Sequence, residues 1–262
     1  MARVLSALVL LPLVVGTVWF LPPIATLALA TLAAVLAFIE YAAIVAAVDR
    51  GLPKAVSGAA VAVGCICIGG GYLSVETVLM SAVVAVGALA VASGTPEPAV
   101  LRSVAASILP IAYIGLPLGA IAAVRAFAGR EAIVLLMLTI VISDSAQYYC
   151  GRAFGRRPLA PAISPKKTLE GAIGGLLFGT LAMTAGGRWV FPDASTLMLV
   201  FVSASVTLLG MVGDLFESML KRSAGVKDSS RLIPGHGGVL DRIDSWLFAA
   251  PVYYAFVRYL RF

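Results

Sequence analysis

The sequence predicts an all-α, polytopic integral membrane protein: a helical bundle of about nine transmembrane helices. Three observations predict it. Of 262 residues, 61% are hydrophobic and only 12% are charged, against about 25% charged in an ordinary soluble domain. Apolar stretches recur along the chain at the roughly 20 residues needed to cross a bilayer. Lys and Arg gather in alternate connections between those stretches. A chain of this length cannot bury so much apolar surface in one water-soluble core, because surface grows nearly as fast as volume at this size.

The spans read as 4–20, 22–48, 55–71, 73–93, 101–124, 131–150, 169–187, 196–220 and 239–260. The first follows Arg3 and has the apolar run of a signal peptide, but no Ala-x-Ala-like cleavage site follows and the next span begins almost at once. It reads as a retained helix. The third is short and rich in glycine. Pro110 and Pro117 in the fifth predict kinks. Cys65, Cys67 and Cys150 have neither disulfide nor zinc spacing and read as small buried hydrophobes.

Positive residues stay on the cytoplasmic side of a membrane. With nine spans, 13 of the 19 Lys and Arg fall on the side of the N-terminus and five on the other, with Arg242 set apart inside the last helix. This predicts a multi-pass protein of the cell inner (plasma) membrane, with the N-terminus and the basic 151–168 and 221–238 loops in the cytoplasm. Arg258 and Arg261 oppose that orientation.

The chain divides by chemistry. Residues 1–130 read as a scaffold of transmembrane helices, nearly featureless apart from the intramembrane Glu40 and Glu76, which are expected near interfaces or facing other helices. Residues 131–262 read as the catalytic region, forming one membrane domain with the first. Ionisable groups within a membrane are costly unless partnered, so they point to function.

Three segments carry the chemistry. Asp144, Gln147 and Tyr148 are spaced i, i+3, i+4 at the end of the sixth span and share a helix face. Arg152, Arg156 and Arg157 follow. Taken alone, this also describes a polar helix end with a basic loop. In the second segment, Ser164 can cap a helix with Pro165 at its first position, or Thr168 can cap the seventh span. Either way Lys166 and Lys167 sit at a helix N-terminus, where free N–H groups and the dipole favour phosphate.

The third segment is the most informative. Asp214, Glu217, Ser218 and Lys221 form a polar stripe on the eighth helix, and Asp241 and Asp244 share a face of the ninth. Carboxylates entering the membrane from adjacent helices repel one another unless a cation lies between them, and hard oxygen donors beside phosphates suit Mg²⁺. Lys221, Arg222, Lys227 and Arg231 supply the positive field a triphosphate needs. Gly235, Gly237 and Gly238 around His236 let backbone N–H groups approach a ligand. The lone His236 is expected to touch phosphate as a hydrogen-bond donor or to give a proton to the leaving pyrophosphate, with phosphate contact favoured because metal-bound pyrophosphate is already a good leaving group. Nucleotide, metal and lipid fit one enzyme, because transfer between phosphates needs charge neutralisation and positioning more than a covalent nucleophile.

These residues resemble a known signature. Ser218-x-Leu220-Lys221-Arg222, then Lys227-Asp228, Ser230 and Ile233-Pro234-x-His236-Gly237-Gly238-Val239-x-Asp241-Arg242-Ile243-Asp244 is similar, without departure, to that of the phosphatidate cytidylyltransferase family. Ser164-Pro165-Lys166-Lys167-Thr168-x-Glu170-Gly171 also resembles a family segment. The Asp144-x-x-Gln147-Tyr148-x-x-Gly151 stretch does too, except that Gln147 stands where the family usually has alanine. The likeness is specific over 131–245 and only topological before that.

The resemblance implies that a phosphate oxygen of phosphatidate attacks the α-phosphorus of CTP, releasing pyrophosphate and forming CDP-diacylglycerol. It implies Mg²⁺ and a second cation site, with Asp214 and Asp241 holding metal and Asp144 and Asp244 close by. Asp214, Asp241, Lys167 and His236 are the implied catalytic residues. Ser164, Lys166, Lys167, Thr168, Lys221, Arg222, Lys227, Asp228, Gly237, Gly238, Arg242, Asp144 and Tyr148 are the implied substrate contacts. The expected partners are CTP, phosphatidate and the lipid bilayer, with no nucleic acid and with a homodimer left open. A related CTP-dependent lipid kinase or cytidylyltransferase acting on another lipid is the nearest rival. From another class, a transporter could use the same carboxylates but would not release pyrophosphate from CTP.

Overall fold

The computed structural model describes residues 2–47, 53–92, 99–230, 232, 233, 235 and 237–260. They form α1 (Ala2–Phe20), α2 (Pro23–Ala46), α3 (Lys54–Gly69), α4 (Val75–Ala92), α5 (Ala99–Pro110), a π-helical turn (Ile111–Gly115), α6 (Leu116–Phe154), β1 (Pro158–Ala160), β2 (Ser164–Thr168), α7 (Leu169–Val190), α8 (Thr196–Ser223) and α9 (Leu240–Tyr259). The described fold is therefore helical, as expected, apart from one antiparallel hairpin of β1 and β2 within the expected 151–168 loop.

Among the described residues, five stretches are long and apolar enough to cross a membrane: Pro23–Ala46, Val75–Ala92, Val100–Phe154, Leu169–Val190 and Thr196–Ser223. This is a multi-pass pattern. It is a smaller number than nine for identifiable reasons, one being that α9, the expected ninth span, carries Asp241, Arg242, Asp244 and Arg258 and is not among the five. The apolar stretches Leu8–Phe20 and Lys54–Gly69 are shorter than a full crossing. The expected fifth and sixth spans run together through α6, broken at Gly129, whose φ of 87° and ψ of −179° are not helical. A side chain rarely tolerates that φ, so glycine makes the break. Pro110 ends α5, a π-helical turn follows it, and Pro117 is the second residue of α6, so the two prolines flank the turn where the regular helical hydrogen-bond ladder is interrupted.

The chain forms two compact units, Met1–Ala126 with Ser223–Ile243, and Phe127–Arg222 with Asp244–Phe262. In the first, glycines bring helices into backbone contact. A Cβ on Gly115 or on Gly119 would lie 2.7 Å from the carbonyl oxygen of Val61 or Cys65 on α3. This four-residue spacing of small residues is how helices pack in lipid, where apolar side chains gain nothing by leaving their solvent. Tyr41 on α2 donates to the Ala106 carbonyl of α5 at 3.1 Å. Arg125 donates to the carbonyls of Val18 and Leu21 at the end of α1.

The second unit uses the same device on a longer stripe. Gly171, Gly175 and Gly179 recur every four residues along α7. A Cβ at Gly171 would lie 2.7 Å from the Gln147 carbonyl of α6, and one at Gly175 3.0 Å from that of Ser143. On α8, a Cβ at Gly213 would lie 2.6 Å from the Asp244 carbonyl of α9. Replacing Gly213 by Ala is expected to force these two helices apart, lowering stability by about 1–3 kcal/mol. Thermal unfolding in detergent measures it, and an unchanged midpoint would refute the close contact. Large apolar side chains such as Val91 and Leu197 are over 80% exposed on the protein surface, as lipid-facing positions should be.

Candidate active site

Helix α6 ends at Phe154 and the chain turns back through the hairpin, so that β2 delivers Lys167 and Thr168 to the start of α7. The backbone N–H groups of Arg156 and Arg157 both donate to Glu170, closing the hairpin base. Of the two caps open in the sequence, Thr168 is the one formed. Its hydroxyl accepts from Gly171 N at 3.1 Å, while Ser164 lies in β2. Gly151 and Gly155 pack against the Thr168 hydroxyl, where a Cβ would crowd it at 2.9–3.0 Å.

Lys167 is half-buried and its ammonium pairs with the Asp214 carboxylate on α8. Asp244 on α9 interacts across space with the like-charged Asp214 and Asp144 and with Lys167. The second unit thus gathers Asp144, Asp214 and Asp244 from three helices and one lysine from the hairpin. Glycines at 175 and 213 permit that approach. Asp144 is exposed, whereas Asp214 and Asp244 are half-buried. Gln147 donates to Asp144 at 3.0 Å and so orients that carboxylate. A narrow crevice lined by Thr139, Ser143, Asp144, Thr207, Gly210 and Ser245 opens beside them.

The other expected residues fall into different settings. Tyr148 is exposed, stacks edge-on with Tyr149 and accepts from Arg152 at 3.4 Å. Lys166 is exposed. Lys221 is buried and pairs with the fully buried Glu217, one turn back on α8. Arg222 donates to the Ile163 carbonyl in the hairpin turn at 3.4 Å. Lys227, Asp228 and Arg242 are exposed. His236, with Arg231 and Pro234, lies outside the described residues.

Asp241 belongs to the first unit. Its carboxylate accepts from the backbone N–H and hydroxyl of Ser229 at 3.0 and 2.9 Å and from Gly238 N at 2.8 Å. Gly235 and Gly237 take φ of 77° and 82°, and Ile233 N donates to the Gly237 carbonyl at 2.8 Å, so this turn requires glycine. The sequence analysis assigned no site role to Glu40. In the structure it is 4% exposed and bonded to this same loop. The signal that could have found it was present, an intramembrane carboxylate on an otherwise apolar helix.

Hard carboxylate oxygens near a lysine suit Mg²⁺, which commonly takes one or two protein carboxylates and completes its shell with water and phosphate. Among the described residues no three His, Cys, Asp or Glu side chains are drawn together closely enough to form a ready metal cage.

A sequence model of the cytidylyltransferase family matches residues 1–260. The chain belongs to the cytidylyltransferase family. Its relatives include an Escherichia coli protein named "Uncharacterized protein YnbB", 44% identical over 132 residues, which are 50% of this chain and 44% of the relative. A Helicobacter pylori protein named phosphatidate cytidylyltransferase is 39% identical over 154 residues, 59% of this chain and 57% of the relative. A Pseudomonas aeruginosa protein of the same name is 44% identical over 124 residues, 47% and 46%. The chain thus spans about half the length of the curated relatives it matches.

Proposed function

We propose that this cytidylyltransferase-family protein transfers the cytidylyl group of CTP to phosphatidate. A phosphate oxygen of phosphatidate forms a bond to the α-phosphorus of CTP, the bond to the β-phosphate oxygen breaks, and pyrophosphate leaves with that electron pair. The observation that carries this reading is the ion pair of Lys167, at the start of α7, with Asp214 on α8, with Asp244 within electrostatic reach, on a chain that matches the family over residues 1–260. The names of the H. pylori and P. aeruginosa relatives support phosphatidate as the acceptor.

The proposed metal residues are Asp214 and Asp241, with Asp144 and Asp244 nearby. Mg²⁺ bound there supplies charge neutralisation on the phosphates. The chain's own groups do the rest. Lys166, Lys167 and the free N–H groups at the start of α7 bind phosphate oxygens, and Gln147 orients Asp144. His236 donates a hydrogen bond to phosphate. The chemistry then belongs to residues 131–262, with 1–130 as scaffold. The proposed topology keeps nine crossings, counting the two sides of the Gly129 break separately.

Purified protein in detergent, given phosphatidate, CTP and Mg²⁺, is expected to release one pyrophosphate per CDP-diacylglycerol formed. Release that requires a different lipid acceptor would move the protein to another lipid substrate, and no release with any acceptor would refute the enzyme assignment.

Orientation has its own test. The 151–168 and 221–238 loops are proposed to face the cytoplasm. Single cysteines placed there should resist a membrane-impermeant thiol reagent in intact cells and react in inverted vesicles. Labelling from outside would move the site across the membrane.

A further inference from the structure

Four donors converge on the carboxylate of Glu40. The Ser229 and Leu240 donors reach Oε2, the hydroxyl and backbone N–H respectively, both at 2.8 Å. The Ser230 hydroxyl and the Val239 N–H reach Oε1, at 2.7 and 2.9 Å. All lie within the first compact unit. Glu40 is on α2, 189 residues before Ser229, so one side chain ties the middle of the loop between α8 and α9 to the start of α9. The Ser229 hydroxyl lies between the Glu40 and Asp241 carboxylates, and its single proton is shared by the two. Gly238 sits against both the Glu40 carboxylate and the Ser229 hydroxyl, where any Cβ would collide with them.

We propose that Glu40 is a positioning residue for the reaction, a buried clamp that sets where α9 begins and how Asp241 and the Gly238 backbone are presented to the substrate phosphates. The proposal rests on the cytidylyl-transfer reading.

The chemistry requires a carboxylate. Only an acceptor with two oxygens can take four donors, and negative charge beside the first N–H groups of α9 is favoured by the helix dipole. A scaffold role alone would be met by any side chain that fills the space. Glu40 instead spends all of its acceptor capacity on the loop that leads into Asp241, and the elements it joins are remote in sequence. Glutamine has nearly the same shape, but its amide nitrogen would face two donors and lose them.

Two measurements on the full chain in detergent test this. The first is hydrogen exchange at the amides of Ser229, Gly238, Val239 and Leu240, which is independent of substrate. The second is a Mg²⁺ titration of pyrophosphate release. Glu40→Gln is expected to speed exchange at those amides and to cut turnover by about 10–100-fold with a raised half-saturating Mg²⁺, the range seen when groups orienting metal ligands are lost. Glu40→Asp, which keeps the charge and both oxygens, should recover part of the turnover, and Ser230→Ala should give a smaller effect in the same direction. Unchanged exchange in Glu40→Gln overturns the clamp. Faster exchange with unaltered turnover and Mg²⁺ dependence overturns the positioning role. If Glu40→Gln loses activity only in proportion to its unfolded fraction, the role is structural and the proposal fails. A wild-type protein that releases no pyrophosphate refutes the functional reading instead, and the exchange data alone then decide the clamp.

Discussion

Changing Asp214 to Asn is expected to lower pyrophosphate release at least ~100-fold, a loss of about 2.7 kcal/mol in transition-state stabilisation, in a protein that stays folded and monodisperse. Asp214 lies on α8 beside Lys167 and within electrostatic reach of Asp244. Asparagine matches its shape but removes the charge that would hold a divalent ion. The change also breaks the half-buried ion pair with Lys167, and the relief of repulsion from Asp244 offsets part of that loss, so the metal-free protein should lose less stability than Lys167→Met. Asp241→Asn is also expected to be inactive, but for a mixed reason. Its carboxylate already accepts from Ser229 and Gly238, so this variant should lose thermal stability as well as turnover. The pair is read by activity, Mg²⁺ titration and thermal midpoint together. If both variants stay active with an unchanged Mg²⁺ titration, the metal site is wrong, and Asp144 with Asp244 becomes the next pair to change.

The second large effect is expected at Lys167. Lys167→Met removes the positive charge among Asp144, Asp214 and Asp244, and with it a phosphate partner at the start of α7. Turnover should fall by about 100–1000-fold, in the range of a lost transition-state donor. Metal-free stability should fall by roughly 1–2 kcal/mol. That is less than the ~3–5 kcal/mol of a fully buried broken pair, because the two side chains remain 23% and 27% exposed. Added Mg²⁺ should raise the thermal midpoint of Lys167→Met more than that of the wild type, since the ion then replaces the missing cation. Lys167→Arg, which keeps charge but changes reach, should retain metal-free stability and still lose much of its turnover. Equal Mg²⁺ stabilisation of wild type and Lys167→Met would argue that the carboxylates do not share a cation.

Much of this protein is determined by its sequence alone. Membrane residence follows from the composition and the length of the apolar runs, because no aqueous core of this size could hide them. The chemistry-bearing residues are also legible there, since Asp144, Lys167, Asp214 and Asp244 are charges in or beside spans, where an unpartnered charge is too costly to keep without a use. Other features depend on contacts between residues far apart in the chain, which local spacing does not specify. Periodicity allowed either Ser164 or Thr168 as the cap, and the β1–β2 hairpin selected Thr168 by leaving Ser164 in a strand. Asp241 and Asp244 share a face of α9, yet Asp241 takes hydrogen bonds from its own loop while Asp244 joins the carboxylates of α6 and α8. Glycine identities were visible, but only packing shows that Gly175 and Gly213 are small so that backbones can approach. Glu40 looked like an isolated acid on an apolar helix. Its partners lie about 190–200 residues away, and only folding brings to it the four donors that make its burial affordable.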